Sequence, residues 1–146
     1  MQECRSNYGW WTTMPTRWMD CDAYGHVNNV TYYSYFDTAV TLMLYERGVL
    51  GQAAGAIGLC AESACSFHKP ITFPSTIDAG VRLARMGEKS IRYELGLFIS
   101  EDVEPTATGY FVHVFVDRAT WRPVPIALGS RAALDDLLIK PNDLTA

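Results

Sequence analysis

The sequence has no uninterrupted apolar run of membrane-spanning length, and no basic start followed by an apolar stretch of the secretory type. Both absences point to a soluble, cytoplasmic protein with no membrane partner, in which the Asn29-Val30-Thr31 glycosylation sequon is idle. Basic charge is scarce as well: 12 Lys and Arg stand against 16 Asp and Glu, a net charge of −4. Phosphate backbones need a concentrated positive field, so nucleic acid is not an expected partner. Cysteines are few and lack staple or ligand spacing. Cys4, Cys21, Cys60 and Cys65 contain no Cys-x-x-Cys pair, and no two of His26, His68 and His113 have metal-ligand spacing. Cys60 and Cys65, five apart on one expected strand, should face opposite sides. The thiols read as reduced, and no metal is expected. Also missing are a Gly-x-Ser-x-Gly nucleophile elbow and a His-x-x-x-x-Pro-Gly pattern.

What is present is enough apolar material, 49% of 146 residues, for one domain (1–146) with a real core. Residues 1–11 read as an irregular lead-in, and Thr12 to Met19, with Pro15 near its start, as an edge-type strand. Asn28 or Asn29 can cap a helix running to about Arg47, with Gly48 at the left-handed cap position. Tyr33, Phe36, Val40, Met43 and Leu44 mark one apolar face of that helix, and Tyr32, Tyr35, Ala39 and Leu42 extend it round most of the circumference. Thr31, Ser34, Thr38 and Thr41 form a narrow hydroxyl stripe, close to Asp37. A helix of this kind is expected in the middle of the molecule. Gly51 to Gly58 reads as a flexible link, since no strand precedes it to support a phosphate loop.

From Leu59 the period becomes two. Four runs, closing near Phe67, Ala84, Ile99 and Val116, alternate inward and outward residues and are separated by Pro70, Pro74, Gly87-Glu88-Lys89 and Glu101 to Pro105. Ser130 can cap a tail helix within 127–140. The fold class is therefore α+β: about five antiparallel strands around one long helix. The edge strands and remaining apolar surface favour self-association.

The densest chemistry is Asp20-Cys21-Asp22-Ala23-Tyr24-Gly25-His26-Val27-Asn28-Asn29, set directly before the helix. Asp22 lies close upstream of a helix N-terminus, whose free N–H groups and positive dipole end can hold an oxyanion. A carboxylate beside such a site is the minimum equipment for acyl transfer. The plainer alternative is that Asp20 and Asp22 only stabilise the turn and helix end. Gly25 suits a tight turn, and His26 is either a proton carrier or a structural donor. Arg82, Arg85, Lys89, Arg92, Arg118 and Arg122 give the second half a basic bias, as a phosphorylated carrier would require or as solvated strand faces ordinarily carry.

The run Asp20, Asp22, Gly25, His26, Val27, Asn28, Asn29 and Tyr32 resembles the signature of hotdog-fold acyl-CoA thioesterases, the 4-hydroxybenzoyl-CoA thioesterase-like group. Phe67-His68-Lys69-Pro70-Ile71 and Thr120 to Ile126 are similar to that family too, over about residues 12 to 139. The resemblance implies a hotdog fold, with a long central helix wrapped by a curved antiparallel sheet, and a homodimer or homotetramer with acyl pockets at subunit interfaces. It implies hydrolysis of an acyl-CoA or acyl-carrier thioester, with coenzyme A entering only as part of the substrate and no separate cofactor. Asp22 would be nucleophile or general base, assisted by His26, with backbone N–H groups around Asn29 and Val30 as oxyanion hole. Tyr24, Gly25 and Tyr32 would line the substrate, and Arg85, Lys89 and Arg92 would hold the nucleotide. Asp37-Thr38-Ala39-Val40 lacks the arginine the family often carries on this helix. A hydratase or dehydratase on the same fold, and a non-catalytic acyl-carrier binding module, are the competing readings.

Overall fold

The computed structural model describes residues 3–50 and 55–140. Inward–outward alternation builds five strands: β1 (Trp10–Pro15), β2 (Ala56–Phe67), β3 (Thr76–Met86), β4 (Ser90–Ile99) and β5 (Ala107–Asp117). They form one antiparallel sheet in the order β1-β3-β4-β5-β2, so β1 and β2 are its edges. Helix α1 (Asn29–Glu46), 18 residues long, packs on one face. Ile77, Ala79, Val81 and Leu83 of β3 and Tyr93, Leu95 and Leu97 of β4 are fully buried, with Phe36, Ala39, Val40 and Met43 of α1 in the same core. Each large side chain so buried contributes about 1.5–3 kcal/mol. The helix comes very close at Gly109, where a Cβ would lie 2.4 Å from the Phe36 ring.

Several elements depart from the sequence expectation. Only one face of α1 is covered: Tyr32, Tyr35, Phe36, Ala39, Val40, Met43 and Leu44 are buried, while Leu42 and Tyr45 stand in solvent with Asp37 and the hydroxyls. The helix thus lies on the sheet with one face uncovered, and of the apolar residues read round its circumference Leu42 faces solvent and Tyr33 is half-buried. Asn28 is the N-cap, its Oδ1 accepting from the Val30 N–H, and Gly48 adopts φ +72° after the last turn, as a left-handed cap requires.

β1 ends at Pro15, and Trp18–Asp20 is a 3-10 turn. The Asp20 carboxylate folds this turn by accepting from the Arg17 backbone N–H, which takes the chain out of strand geometry. Within the lead-in Arg5–Asn7 is another 3-10 turn, and the Tyr8 ring covers Gly80 and Gly96, where a Cβ would meet it at 2.8 and 2.7 Å. Arg5 braces this strap by pairing with Asp78 at 2.9 Å and lying over the Phe98 ring.

β2 begins at Ala56, inside the expected flexible link, whose residues 51–54 lie outside the described residues. A bulge between Cys60 and Glu62 sets Cys60 opposite His113 and Cys65 opposite Gly109, so both thiols share a face. The tail helix α2 (Leu128–Leu134) starts after Ala127, with Ser130 inside it, and passes into a 3-10 turn, Asp135–Leu137. Its anchor is Arg47, which pairs with Asp136 at 2.5 Å and donates to the Ala133 carbonyl. Among the described residues no helix is long and apolar enough to cross a membrane.

Candidate active site

The loop before α1 is a closed turn. The Asp22 N–H donates to the His26 carbonyl at 2.7 Å, and the Gly25 N–H to the Asp22 carbonyl at 3.2 Å. Gly25 sits at φ +78°, a conformation that costs a side-chain-bearing residue roughly 1–2 kcal/mol. Asp22 Oδ1 accepts from the backbone N–H of Tyr24 at 2.8 Å and of His26 at 3.3 Å. One carboxylate oxygen is therefore fixed by the loop, while Oδ2 takes no donor from the described residues.

Beneath it, Asp20 is the buried anchor. Burial alone would raise its carboxyl, but hydrogen bonds from Arg17 and Tyr35 outweigh that and hold it below the ordinary carboxylate value. Arg17 donates through Nε at 3.1 Å and Nη2 at 2.9 Å, and the Asp20 carbonyl accepts from the Asn28 N–H at 2.8 Å. The two aspartates thus divide their tasks: Asp20 builds the frame, and half-buried Asp22 presents a carboxylate.

Asp22, His26, Asn29 and Tyr32 line one cleft of about 310 Å³. Its other wall comes from the end of β2 and the segment after it, with Phe67, His68, Lys69 and Pro70. Backbone pairing joins the walls: Val27 N–H donates to the Ile71 carbonyl at 2.8 Å, and His26 bridges Thr72. The Tyr32 ring meets Phe67 edge-on at 4.8 Å between centroids. Burial raises the Tyr32 phenol, outweighing a backbone hydrogen bond from Ile71 and helped by the Asp22 charge, so it stays a neutral donor. Nearby, burial pushes the Cys65 thiol up to about 11. The His68 Nε2 is 2.9 Å from Thr108 Oγ1, which fixes the imidazole at the cleft wall.

Four of the expected residues therefore meet in one cleft. Tyr24 and Val30 stand in solvent outside its walls, 86% and 65% exposed, and Gly25 shapes the turn. The Val30 N–H is already bound by Asn28 Oδ1 at 3.2 Å, whereas among the described residues the Asn29 N–H has no protein acceptor. Arg85, Lys89 and Arg92 lie around the β3–β4 hairpin, at the opposite end of β3 from the Thr16–Ser75 contact beside the loop. Phe67, at the cleft, is level with Ala79 through Ala107 and Leu97, so Arg92 and Arg85 lie five and six residues of strand away, on the order of 20 Å. Among the described residues no group of three His, Cys, Asp or Glu could hold a metal ion. His68, Lys69 and Pro70 were missed as wall residues because the two sides meet only in three dimensions. Their sequence signal was the family-like Phe67 to Ile71 run.

The model of the thioesterase-like superfamily matches residues 16–134, from just after β1 to the end of α2. The chain belongs to that superfamily. The PA5185 protein of Pseudomonas aeruginosa strain PAO1 is similar, with 47% identity, a TM-score of 0.90, and coverage of 94% of this chain and 97% of its own. The PA2801 protein of Pseudomonas aeruginosa is 30% identical with a TM-score of 0.78, covering 84% of this chain and 95% of its own. Slr0204 from Synechocystis, a 1,4-dihydroxy-2-naphthoyl-CoA thioesterase, shares the fold at 13% identity and a TM-score of 0.78, covering 87% and 96% of the two chains. The thioesterase resemblance seen at the loop is thereby met across residues 16–134.

Proposed function

We propose that this protein is a cytoplasmic acyl-CoA thioesterase in which Asp22 carries the chemistry. The observation that supports this best is the half-tethered carboxylate: Asp22 Oδ1 is held by two backbone N–H groups, and Oδ2 is left for reaction in the same cleft as Asn29. The thioester carbonyl oxygen sits at the start of α1, where the Asn29 N–H and the helix dipole stabilise the oxyanion. Asp22 either removes a proton from the attacking water or attacks the carbonyl itself to give an anhydride that water then opens. In both cases the C–S bond breaks with its electron pair on sulfur, a C–O bond forms, and the thiolate takes up a proton. A thiol with a pKa near 8.5 is a good leaving group, so one carboxylate suffices.

The reading includes no metal and no cofactor besides the coenzyme A of the substrate. It also includes a homodimer or homotetramer. β2 is a 12-residue edge strand whose outer backbone is a template for a second copy.

The experiment is a panel of acyl-CoA and acyl-carrier thioesters assayed with a thiol-reactive chromophore, comparing the native chain with Asp22→Asn. Thiol release by the native protein, reduced at least a hundredfold in the variant, is expected. Full rate in Asp22→Asn would overturn the assignment of Asp22. No release from any thioester would favour a binding module.

A further inference from the structure

Beside the cleft stand three apolar side chains that the catalytic reading does not use. Trp18, Met19 and Phe73 are 72%, 76% and 39% exposed, and the Trp18 and Phe73 rings meet at 5.6 Å and 70°. Single exposed apolar residues are ordinary, but a cluster of large ones on a braced surface marks a binding site. The bracing is specific. Thr16 Oγ1 donates to the Ser75 carbonyl and accepts from the Ser75 N–H, both at 2.8 Å, so the two segments that carry the rings are clamped together. Asp20 fixes the turn under Trp18, and the His26–Thr72 bridge fixes the residue before Phe73.

A cation completes the patch. Arg17 spends Nε and Nη2 on Asp20, its side chain is 62% exposed, and Nη1 has no protein acceptor among the described residues. Phe73 lies three residues beyond Pro70, a cleft residue, which is about 10 Å of extended chain. Rings set at an angle, an arginine beside them, and a position one short arm away from a thioester site fit one ligand chemistry.

We propose that Arg17, Trp18 and Phe73 receive the nucleotide end of the substrate, with a purine ring stacked on Trp18 and a phosphate on Arg17. The inference rests on the thioesterase reading of the Asp22 cleft and moves the nucleotide away from Arg85, Lys89 and Arg92. The roughly thirteen bonds between sulfur and the pyrophosphate of coenzyme A reach on the order of 15 Å, at about 3.5 Å per three bonds of extended chain. That span covers the step from cleft to rings, whereas Arg85 and Arg92 lie on the order of 20 Å along the sheet from the cleft in the same chain. Arg92 is in addition engaged, its guanidinium 3.7 Å above the Tyr110 ring.

The test titrates the full-length chain with adenosine 3′,5′-bisphosphate by calorimetry. Trp18→Ala should weaken binding about tenfold and Trp18→Phe less, since base–aromatic stacking survives on a smaller ring. Trp121→Ala, at another exposed tryptophan after β5, should bind as the native chain does. In hydrolysis, the preference for acyl-CoA over the same acyl group on N-acetylcysteamine should shrink by a similar factor in Trp18→Ala. The inference is overturned if the native chain does not bind the bisphosphate, if Trp18→Ala binds it normally, or if Arg85→Ala and Lys89→Ala weaken it instead. A change in oligomeric mass in Trp18→Ala would also overturn it, by showing that the patch joins two copies. Hydrolysis without bisphosphate binding removes this site alone. Bisphosphate binding without hydrolysis removes the catalytic reading and leaves a purine nucleotide site.

Discussion

Tyr35, on the buried face of α1, donates its phenolic proton to Asp20 Oδ2 across 2.8 Å. This bond fastens the helix to the loop that carries Asp22. Arg17 holds the same carboxylate from the solvent side, so one buried group joins the chain before the loop, the loop, and the helix after it.

Removing that group should cost both stability and rate. Asp20→Ala leaves the Tyr35 hydroxyl buried without its acceptor, and a hydrogen bond to a charged group contributes about 1.5–3 kcal/mol. A fall of that size in urea denaturation is expected, together with a drop in kcat as Asp22 loses its mounting. Tyr35→Phe should lose less, because Arg17 still holds the carboxylate. Native stability in Asp20→Ala would show that Asp20 does not anchor the loop.

Asn28 should matter more to the helix than to the chemistry. Its Oδ1 caps the Val30 N–H, and Asn28→Ala should destabilise by about 1 kcal/mol, a fall in Tm of about 3 °C. Asn28→Asp, which keeps the acceptor, should restore the Tm. Turnover should fall less than tenfold in Asn28→Ala, because the oxyanion contact belongs to the Asn29 N–H. A loss as large as that of Asp22→Asn would shift the oxyanion role to Asn28.

His113 should make the fold sensitive to acid. Its ring is packed among Tyr93, Phe111 and Phe115, its Nδ1 is buried without a partner among the described residues, and burial lowers its pKa from 6.5 to about 4. The unfolded chain therefore binds a proton near pH 6.5 that the folded chain refuses until about pH 4. The stability carried by the neutral ring is complete above about pH 6.5 and is lost as pH falls toward 4, by about 3 kcal/mol in all. Urea midpoints at pH 7.5 and 5 should differ in the native chain and converge in His113→Leu. A persistent difference in the variant would assign the sensitivity to another group.

The parts of this fold legible in the sequence are those governed by local period. Strand alternation around Ile77, Ile91 and Val112, and the Asn28 and Gly48 signals at the ends of α1, each depend on neighbours a few residues away. What the sequence concealed depends on distant partners. The 3-10 turn at Trp18 needs the buried Asp20 carboxylate, whose stability comes from Tyr35 on the helix. The bulge after Cys60 carries no Gly or Pro to announce it. Leu42 and Tyr45 count as apolar in any periodicity, yet only the packed sheet decides that they face water. At the site, Asp22, His26 and Asn29 were visible because they fall within eight residues of one loop, whereas His68 joins them only through pairing of Val27 and His26 with Ile71 and Thr72.

The Tyr8 ring lies across Gly80 on β3 and Gly96 on β4, two positions that become neighbours only when those strands pair. Its seat is therefore made of backbone from the middle of the chain, and it does not exist before the β3–β4 hairpin closes. In order of assembly, the strap that comes before the sheet in the chain must dock after part of it has formed, at a high cost in loop closure. Residues 3–9 thus serve as a latch, set once the central strands are in register.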